Sequence, residues 1–218
     1  MSRIISFSTA DKSHIIGFLG AARHLTEEQQ RIVPFISERA RAAQAEVERQ
    51  ALGWGLTVPE ALDHLLAGHA SSTAVAAGNG YAAAMQVLID SNSSDSLDLA
   101  VYSRPETFFD ALDGELRRVG VSADLLPGQY VMGGLPQDFP FSLPLPEHAM
   151  ENFGSWPLEK TGPAADAYRA VLERVEESFT YDLKLLIDRL DLEHENWQEC
   201  SQDRDWYTQD TIFFSITG

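Results

Sequence analysis

The apolar residues of this chain form two kinds of pattern, strand-like at both ends and helical between them. Residues 3–8 and 211–217 are rich in β-branched and aromatic side chains without helical spacing, which predicts a strand at each terminus. Residues 97–102 indicate a third strand. Because an isolated strand is not stable in water, we expect the two terminal strands to pair within one small central sheet.

Three helix starts carry the capping box, in which a Ser or Thr side chain and a Glu or Gln three residues later bond each other's backbone N–H groups. The pairs are Thr26 with Gln29, Thr57 with Glu60, and Ser103 with Glu106. Pro34 would cost about 3 kcal/mol inside a helix, so we expect only a short turn at residues 27–31 before it. The predicted helices span residues 34–51, 58–67, 80–90, 105–119, 163–190 and 193–203.

Together these elements predict an α+β fold with about 55–60% helix, above the usual helical share. The 218 residues are enough to bury one large core. We therefore expect a single, mostly helical domain over residues 1–218, with the small sheet at its centre.

Residues 126–146, which we call the Pro/Gly segment, contain five prolines and three glycines among apolar side chains. Prolines disfavour a regular helix or an interior strand, yet the segment is too apolar for a disordered linker. We expect an ordered loop, and long ordered loops are usually functional. Its candidate binding residues are Tyr130, Met132, Phe139 and Phe141. The alternative is an apolar strap that covers a core edge.

The charge balance is strongly acidic, with 33 acidic and 16 basic residues and a net charge of −17. Residues 121–218 carry a net charge of −12, against −5 for residues 1–120. Such a surface repels phosphate backbones and anionic membranes, so neither is an expected partner. The charge favours solubility, and it also suits a basic protein partner.

No signal-peptide pattern appears at the start of the sequence, and no run approaches the roughly 18 apolar residues of a membrane span. The chain has one cysteine, Cys200, which fits a reducing compartment. These features predict a cytoplasmic protein.

Candidate metal ligands are few. His64 and His69 are five residues apart, which is about 140° around a helix, so we expect no shared metal ion. The adjacent residues Glu193, His194 and Glu195 point in different directions on a helix, so solvation at the surface is the expected role.

Catalytic motifs are also missing from the sequence. Cys200 has no recognisable catalytic neighbourhood, and the glycines fit neither a P-loop nor a dinucleotide fingerprint. We therefore predict no catalytic residue, no metal and no cofactor.

The order of features resembles the YfbM-like family of uncharacterised bacterial proteins and its actinobacterial relatives. The shared features are an initial strand, a helix beginning at Tyr81, a Leu-Leu-Pro-Gly and Gly-Gly-Leu-Pro loop, a long acidic helix and a final aromatic strand at residues 212–214. The resemblance covers most of the chain from about residue 57, whereas the helix at 34–51 departs from it. It implies a bacterial protein with an α+β fold, and no activity to carry over.

The sequence thus predicts a non-catalytic, acidic protein-binding module, such as an inhibitor, an immunity-like protein or a regulator. The alternative is a small enzyme or small-molecule binder that uses the Pro/Gly segment as a lid over a pocket.

Overall fold

The computed structural model describes residues 2–146, 153–204 and 206–217, and these residues form an α+β fold. The helical share is 56%, and the described strands form one four-stranded antiparallel sheet, so the predicted fold class is confirmed. In chain order the elements are β1 (Arg3–Ala10), α1 (Lys12–Ile16), α2 (Glu27–Arg49), α3 (Val58–Leu66), α4 (Ala77–Asp90), β2 (Leu97–Tyr102), α5 (Pro105–Arg118), α6 (Gly128–Val131), β3 (Phe153–Pro157), α7 (Thr161–Val171), α8 (Glu177–Asp203) and β4 (Thr211–Thr217).

The chain divides into two compact units. The sheet unit comprises Met1–Ala10, Asp95–Leu135 and Phe153–Gly218, and the helical unit comprises Asp11–Ser94 and Pro136–Asn152. The organisation as a single domain stays a prediction.

The two terminal strands are neighbours, as predicted. The order of the sheet is β2-β1-β4-β3, and in the β1-β4 pair Ile5 faces Ile216 and Phe7 faces Phe214. These four side chains lie on the same face of the sheet, because residues directly opposite each other in an antiparallel pair share a face. The paired termini therefore form the centre of the core in the sheet unit.

Helices α5, α7 and α8 supply the rest of that core. In α8 the buried residues recur at three- and four-residue steps, which places them on one stripe of the helix. Central members of the cluster are Ile5, Phe7, Leu99, Phe109, Leu112, Leu116, Trp156, Tyr168, Leu183, Leu186, Ile187, Leu190, Ile212, Phe214 and Ile216.

The helical unit has its own buried side chains, which come from α1 to α4 and from the turn that follows α1. Their central members are Ile15, Phe18, Ile36, Ala40, Val58, Ala61, Leu62, Leu65, Tyr81, Ala84, Met85 and Leu88. All of these except Leu62 are completely inaccessible to solvent.

The prediction of one helix over residues 163–190 was wrong. The chain forms α7, a 3₁₀ turn at Leu172–Arg174 and then α8, which also includes the predicted short piece after residue 190. A residue of another helix stabilises the break, because the carboxylate of Glu115 on α5 accepts the backbone N–H of Glu176 at 2.7 Å. Apolar periodicity continues through such a break, so the sequence pattern could not locate it.

The prediction that Pro34 precedes the first long helix was also wrong. Helix α2 starts at the capping box of Thr26 and Gln29, which is confirmed, and continues through Pro34. Pro34 and Gln30 are both exposed. The carbonyl of Gln30, which loses its N–H partner to the proline, can therefore be solvated, and the helix tolerates the proline.

Of the other two capping boxes, the one at Thr57 and Glu60 is confirmed and the one at Ser103 and Glu106 is wrong. The residue before α5 is Arg104, and its side chain makes no capping hydrogen bond. The carboxylate of Glu106 instead pairs with Arg3 of β1 at 2.6 Å. An ion pair between distant residues has replaced the local cap.

Helix α4 begins three residues earlier than predicted and includes two glycines in its first turn. A Cβ at Gly78 would lie 2.1 Å from the carbonyl oxygen of Leu145, and one at Gly80 would lie 2.8 Å from that of Leu56. These glycines allow another backbone segment to approach the helix closely. Because glycine has a low helix propensity, the sequence pattern did not place the first turn in α4.

Candidate functional site

The first half of the Pro/Gly segment, residues 126–135, belongs to the sheet unit and contains a helical turn that was not predicted. Helix α6 starts where the N–H of Gly128 donates to Oδ1 of Asp113 at 2.9 Å. A Cβ on Gly128 would lie only 2.7 Å from Oδ2 of Asp113. The carboxylate on α5 therefore caps this turn, and only glycine fits beside it.

Tyr130 is a core residue, although we predicted it as a contact residue. Its side chain is only 9% exposed, and its ring stacks on Trp156 with centroids 4.4 Å apart. The hydroxyl donates to the carbonyl of Asp124 at 2.5 Å and accepts from Nζ of Lys160 at 3.1 Å. Both the ring and the hydroxyl of Tyr130 therefore make contacts within the sheet unit, so the side chain does not present the exposed apolar surface that we predicted.

The rest of this half is fixed against β3. The N–H of Gly134 donates to the carbonyl of Phe153 at 3.0 Å, and Met132 is half-buried against the core. A Cβ at Gly154 would lie 2.2 Å from the carbonyl oxygen of Tyr130. Residues 126–135 thus have the character of a strap over a core edge, which was the alternative considered from the sequence.

The second half, residues 136–146, belongs to the helical unit. Asp138 pairs with Lys12 at 2.8 Å, and Phe139 and Phe141 are both half-buried. The candidate binding residues are therefore divided between two units. For Met132, Phe139 and Phe141 a contact role stays a prediction.

Helix α8 presents a regular acidic face. The exposed residues Tyr181, Lys184, Asp188, Leu192, Glu195, Glu199 and Asp203 follow one another at steps of three or four residues, and we call this set the acidic stripe. Neither an ion pair nor a hydrogen bond within the described residues involves the carboxylates of Asp188, Glu195 or Glu199. The side chains of Tyr181 and Leu192 are 76% and 42% exposed. The sequence indicated a long acidic helix, and the helical spacing of these residues could have identified the members of the stripe.

Two carboxylates of α5 have the opposite environment. The side chain of Glu115 is 5% exposed and contacts Arg118 at 2.5 Å. The hydrogen bond from Arg118, followed by that from the backbone of Glu176, lowers the pKa of Glu115 to about 2. Burial raises the pKa of Asp113, against the opposing effect of the N–H of Gly128. Both side chains serve the fold, since each holds a segment that follows α5 in sequence.

A small pocket lies between β2, α5 and α8. The hydroxyl of Tyr102 donates to Oδ1 of Asp182 at 3.1 Å at this position, and burial, with a smaller contribution from Asp182, raises the pKa of Tyr102. The space has no room for a water molecule. It therefore offers no ligand site, and its lining residues are Leu99, Tyr102, Phe108, Phe109, Leu112, Asp182 and Leu186.

His194 has a packing role, whereas the sequence predicted solvation. Its Nδ1 lies 3.3 Å from Oγ1 of Thr161 and 3.2 Å from the carbonyl of Leu158. A Cβ at Gly162 would lie 2.6 Å from the imidazole ring. The histidine thus fills the contact between α7 and α8, which adjacency in sequence could not indicate.

His64 and His69 are in contact, which the helical angle did not predict. Helix α3 ends in a Schellman motif: the N–H of His69 donates to the carbonyl of His64, and that of Gly68 donates to Leu65. Gly68 has φ of 88°, the left-handed conformation that this motif requires. The chain turns back there, and the two imidazole centroids come within 4.7 Å. Gly68, two positions after the last residue of α3, was the available signal.

In the described part of the chain, no group of three or more His, Cys, Asp or Glu side chains lies close enough to hold a metal ion together. None of the helices described here has both the length and the apolar character needed to cross a membrane.

Comparison with known proteins identifies the family. A family described as a domain of unknown function, DUF7691, matches residues 1–215. The chain belongs to the DUF7691 family. No curated protein and no solved structure gives a significant match. Kinship with YfbM-like proteins stays a prediction, and membership of DUF7691 brings no activity with it.

Proposed function

We propose that this DUF7691 protein is a non-catalytic, cytoplasmic protein-binding module that presents the acidic stripe of α8 to a basic protein. An inhibitor, an immunity-like protein and a regulator all fit this description. The observation that carries the proposal is that Asp188, Glu195 and Glu199 are exposed on one helix face and form no ion pair within the described residues.

The arrangement of these charges has a cost in the free protein. Glu195, Glu199 and Asp203 are spaced four residues apart, and like charges at this spacing destabilise a helix by about 0.2–0.5 kcal/mol per pair. Lys184 is the one cation of the stripe and lies near its amino-terminal end. A basic surface placed against the stripe would remove this repulsion, which favours a cationic partner.

The stripe also contains apolar area that a partner could bury. Tyr181 is 76% exposed, and Leu192 lies between Asp188 and Glu195 with 42% of its surface exposed. Tyrosine is enriched among residues that dominate binding energy, and charge around such residues contributes orientation and association rate. The combination suits a protein surface better than a small ion.

The alternative function, a small-molecule binder or enzyme with the Pro/Gly segment as lid, receives less support. Residues 126–135 would have to break the stack of Tyr130 on Trp156 and the bond from Gly128 to Asp113 in order to move. A cytoplasmic location is supported by the single cysteine, Cys200, which fits a reducing compartment.

The test is a pull-down from a native lysate with the wild-type protein and a neutralised variant, Asp188→Asn, Glu195→Gln and Glu199→Gln. We expect a basic protein to be retained at about 0.1 M salt and released at about 1 M, where the Debye length falls from about 10 Å to about 3 Å. The neutralised variant should retain little of it at either salt concentration.

A matched control removes three exposed carboxylates elsewhere, by Glu38→Gln, Asp63→Asn and Glu173→Gln. If the stripe is the contact surface, this control retains the partner as the wild type does. Equal loss in both variants would mean that only total charge matters. Retention of nothing at low salt would contradict the proposal directly.

A further inference from the structure

The pair of histidines at the end of α3 has a more specific organisation than two side chains in contact. Nδ1 of His64 lies 2.8 Å from the hydroxyl of Tyr81 on α4, and that hydroxyl accepts the backbone N–H of Ser72 at 3.0 Å. Tyr81 is completely buried. Nδ1 of His69 lies 3.4 Å from Oγ of Ser71. Each imidazole is therefore oriented through Nδ1.

The other nitrogen of each ring, Nε2, is the candidate ligand atom. Within the described residues no hydrogen bond involves Nε2 of His64 or Nε2 of His69. His69 is exposed and His64 is half-buried, so solvent reaches the pair. A histidine whose Nδ1 is hydrogen-bonded and whose Nε2 is open has the arrangement common to metal-binding imidazoles, in which the outer contact fixes the ring.

We propose that His64 and His69 together form a binding site for a divalent transition cation of the Zn²⁺, Cu²⁺ and Ni²⁺ class, with Tyr81 as a positioning residue. Imidazole suits these cations. Two imidazoles that bind one ion at Zn–N distances near 2.0–2.1 Å have centroids roughly 5 Å apart, and the observed separation is 4.7 Å.

Water would complete the coordination of the ion. Glu60 lies one turn before His64, but its Oε2 accepts from Thr57 in the capping box, and within the described residues no third His, Cys, Asp or Glu lies close enough to share an ion with the two histidines. The site therefore has two protein ligands, and these can bind only when Nε2 of each ring carries no proton. In that tautomer Nδ1–H of His64 donates to the hydroxyl of Tyr81, and Nδ1–H of His69 donates to Oγ of Ser71. The two hydrogen bonds of the Schellman motif hold the backbone between the two ligands, and Gly68 adopts the left-handed conformation that they require.

This inference is independent of the acidic stripe, because the histidines belong to the helical unit and the stripe to the sheet unit. Failure of one proposal leaves the other unchanged.

The test is calorimetric titration of the full chain with Ni²⁺ and with Zn²⁺ in excess Mg²⁺, which occupies carboxylate sites without competing for imidazole. We expect one site in the wild type and its loss in His69→Ala, a change at an exposed residue. His64→Ala should also lose it. The matched control, His24→Ala, changes an exposed histidine of the same unit and should bind as the wild type does.

Two further measurements separate a built site from chance binding. The spectrum of bound Cu²⁺ in electron paramagnetic resonance should show two nitrogen ligands in the wild type and one or none in His69→Ala. Tyr81→Phe should keep both nitrogen ligands but weaken the affinity for the cation by about 10- to 100-fold, as loss of an outer contact does.

The proposal is overturned if His69→Ala binds the cation as tightly as the wild type, or if His24→Ala weakens binding equally. If His64→Ala does not fold, His69→Ala alone decides.

Discussion

On α5, Asp113 and Glu115 are nearly buried and each accepts a hydrogen bond from a segment that follows in sequence, whereas on α8 the carboxylates of Asp188 and Glu195 are exposed and accept none within the described residues. The same chemical group therefore has two different roles in one unit. Where a carboxylate is buried, its hydrogen-bond and ion-pair partners offset the free energy of removing it from water. Where it is exposed and accepts no hydrogen bond within the described residues, the fold gives no reason for its position.

This comparison makes the two helices respond oppositely to substitution. The two buried carboxylates of α5, Asp113 and Glu115, should be needed for stability and be irrelevant to binding. Carboxylates of the acidic stripe should be irrelevant to stability and be needed for binding. Four measurements, in decreasing order of expected effect, test that division.

The largest effect is expected for Glu115→Ala. The change leaves the N–H of Glu176 without its carboxylate acceptor and removes the ion pair with Arg118, so it weakens the start of α8 as well as α5. Urea denaturation followed by circular dichroism should give the greatest loss of unfolding free energy in the set. Glu195→Ala is the matched control and should lie within about 0.5 kcal/mol of the wild type. Equal losses of unfolding free energy at both positions would contradict the division between buried and exposed carboxylates.

Asp113→Ala should have the next largest effect. It removes the carboxylate that caps α6 by accepting the N–H of the half-buried Gly128, and the loss should be at most the roughly 1–3 kcal/mol of a buried donor left unsatisfied. The control on the same helix is Asp110→Ala, at an exposed position, with an expected change within about 0.5 kcal/mol. An unchanged denaturation midpoint for Asp113→Ala would show that α6 does not need this cap.

Much of the fold could be predicted from the sequence, because it depends on local patterns. Strand composition located β1 and β4 and led to their pairing, and the capping boxes at Thr26 and Thr57 lie where two helices start, although Pro34 led to the prediction of only a short turn after Thr26. The break before α8 could not be predicted, because Glu115 makes it from 61 residues away in sequence. Local patterns contain no information about such a contact.

The candidate sites were predicted less well, for a related reason. Tyr130 is apolar and lies in a Pro/Gly-rich segment, which fits both a contact surface and a strap, and only its stack on Trp156 decides between them. The helical angle between His64 and His69 was calculated for a helix that in fact ends at Leu66. In both cases the contacts that the side chain makes in the folded protein, rather than the residue type, determine its environment.

The third measurement is the dependence of stability on acid. The pKa of Glu115 is lowered from 4.5 to about 2, so its contribution to stability is complete above about pH 4.5 and is lost as the pH falls towards 2. Burial raises the pKa of Asp113, so this carboxyl acts in the opposite direction and favours the folded state as the pH falls.

Denaturation curves between pH 2 and pH 6 should therefore separate the two side chains. Glu115→Gln should flatten the loss of stability in acid, and Asp113→Asn should steepen it, because the compensating proton uptake is gone. The same slope in both variants and in the wild type would mean that neither carboxyl has a shifted pKa in the folded protein.

The smallest effect on stability is expected for the neutralised stripe, Asp188→Asn with Glu195→Gln and Glu199→Gln. The substitutions break no hydrogen bond or ion pair within the described residues, and they relieve repulsion among charges spaced four apart, worth about 0.2–0.5 kcal/mol per pair. The unfolding free energy should stay the same or rise slightly. Added salt screens the repulsion in the wild type, so it should stabilise the neutralised variant less than it stabilises the wild type.

The three-site control Glu38→Gln, Asp63→Asn and Glu173→Gln should keep the salt response of the wild type, because its stripe is intact. A clear loss of stability in the neutralised stripe would mean that these carboxylates support the fold after all, and the reason for assigning them to a partner would disappear.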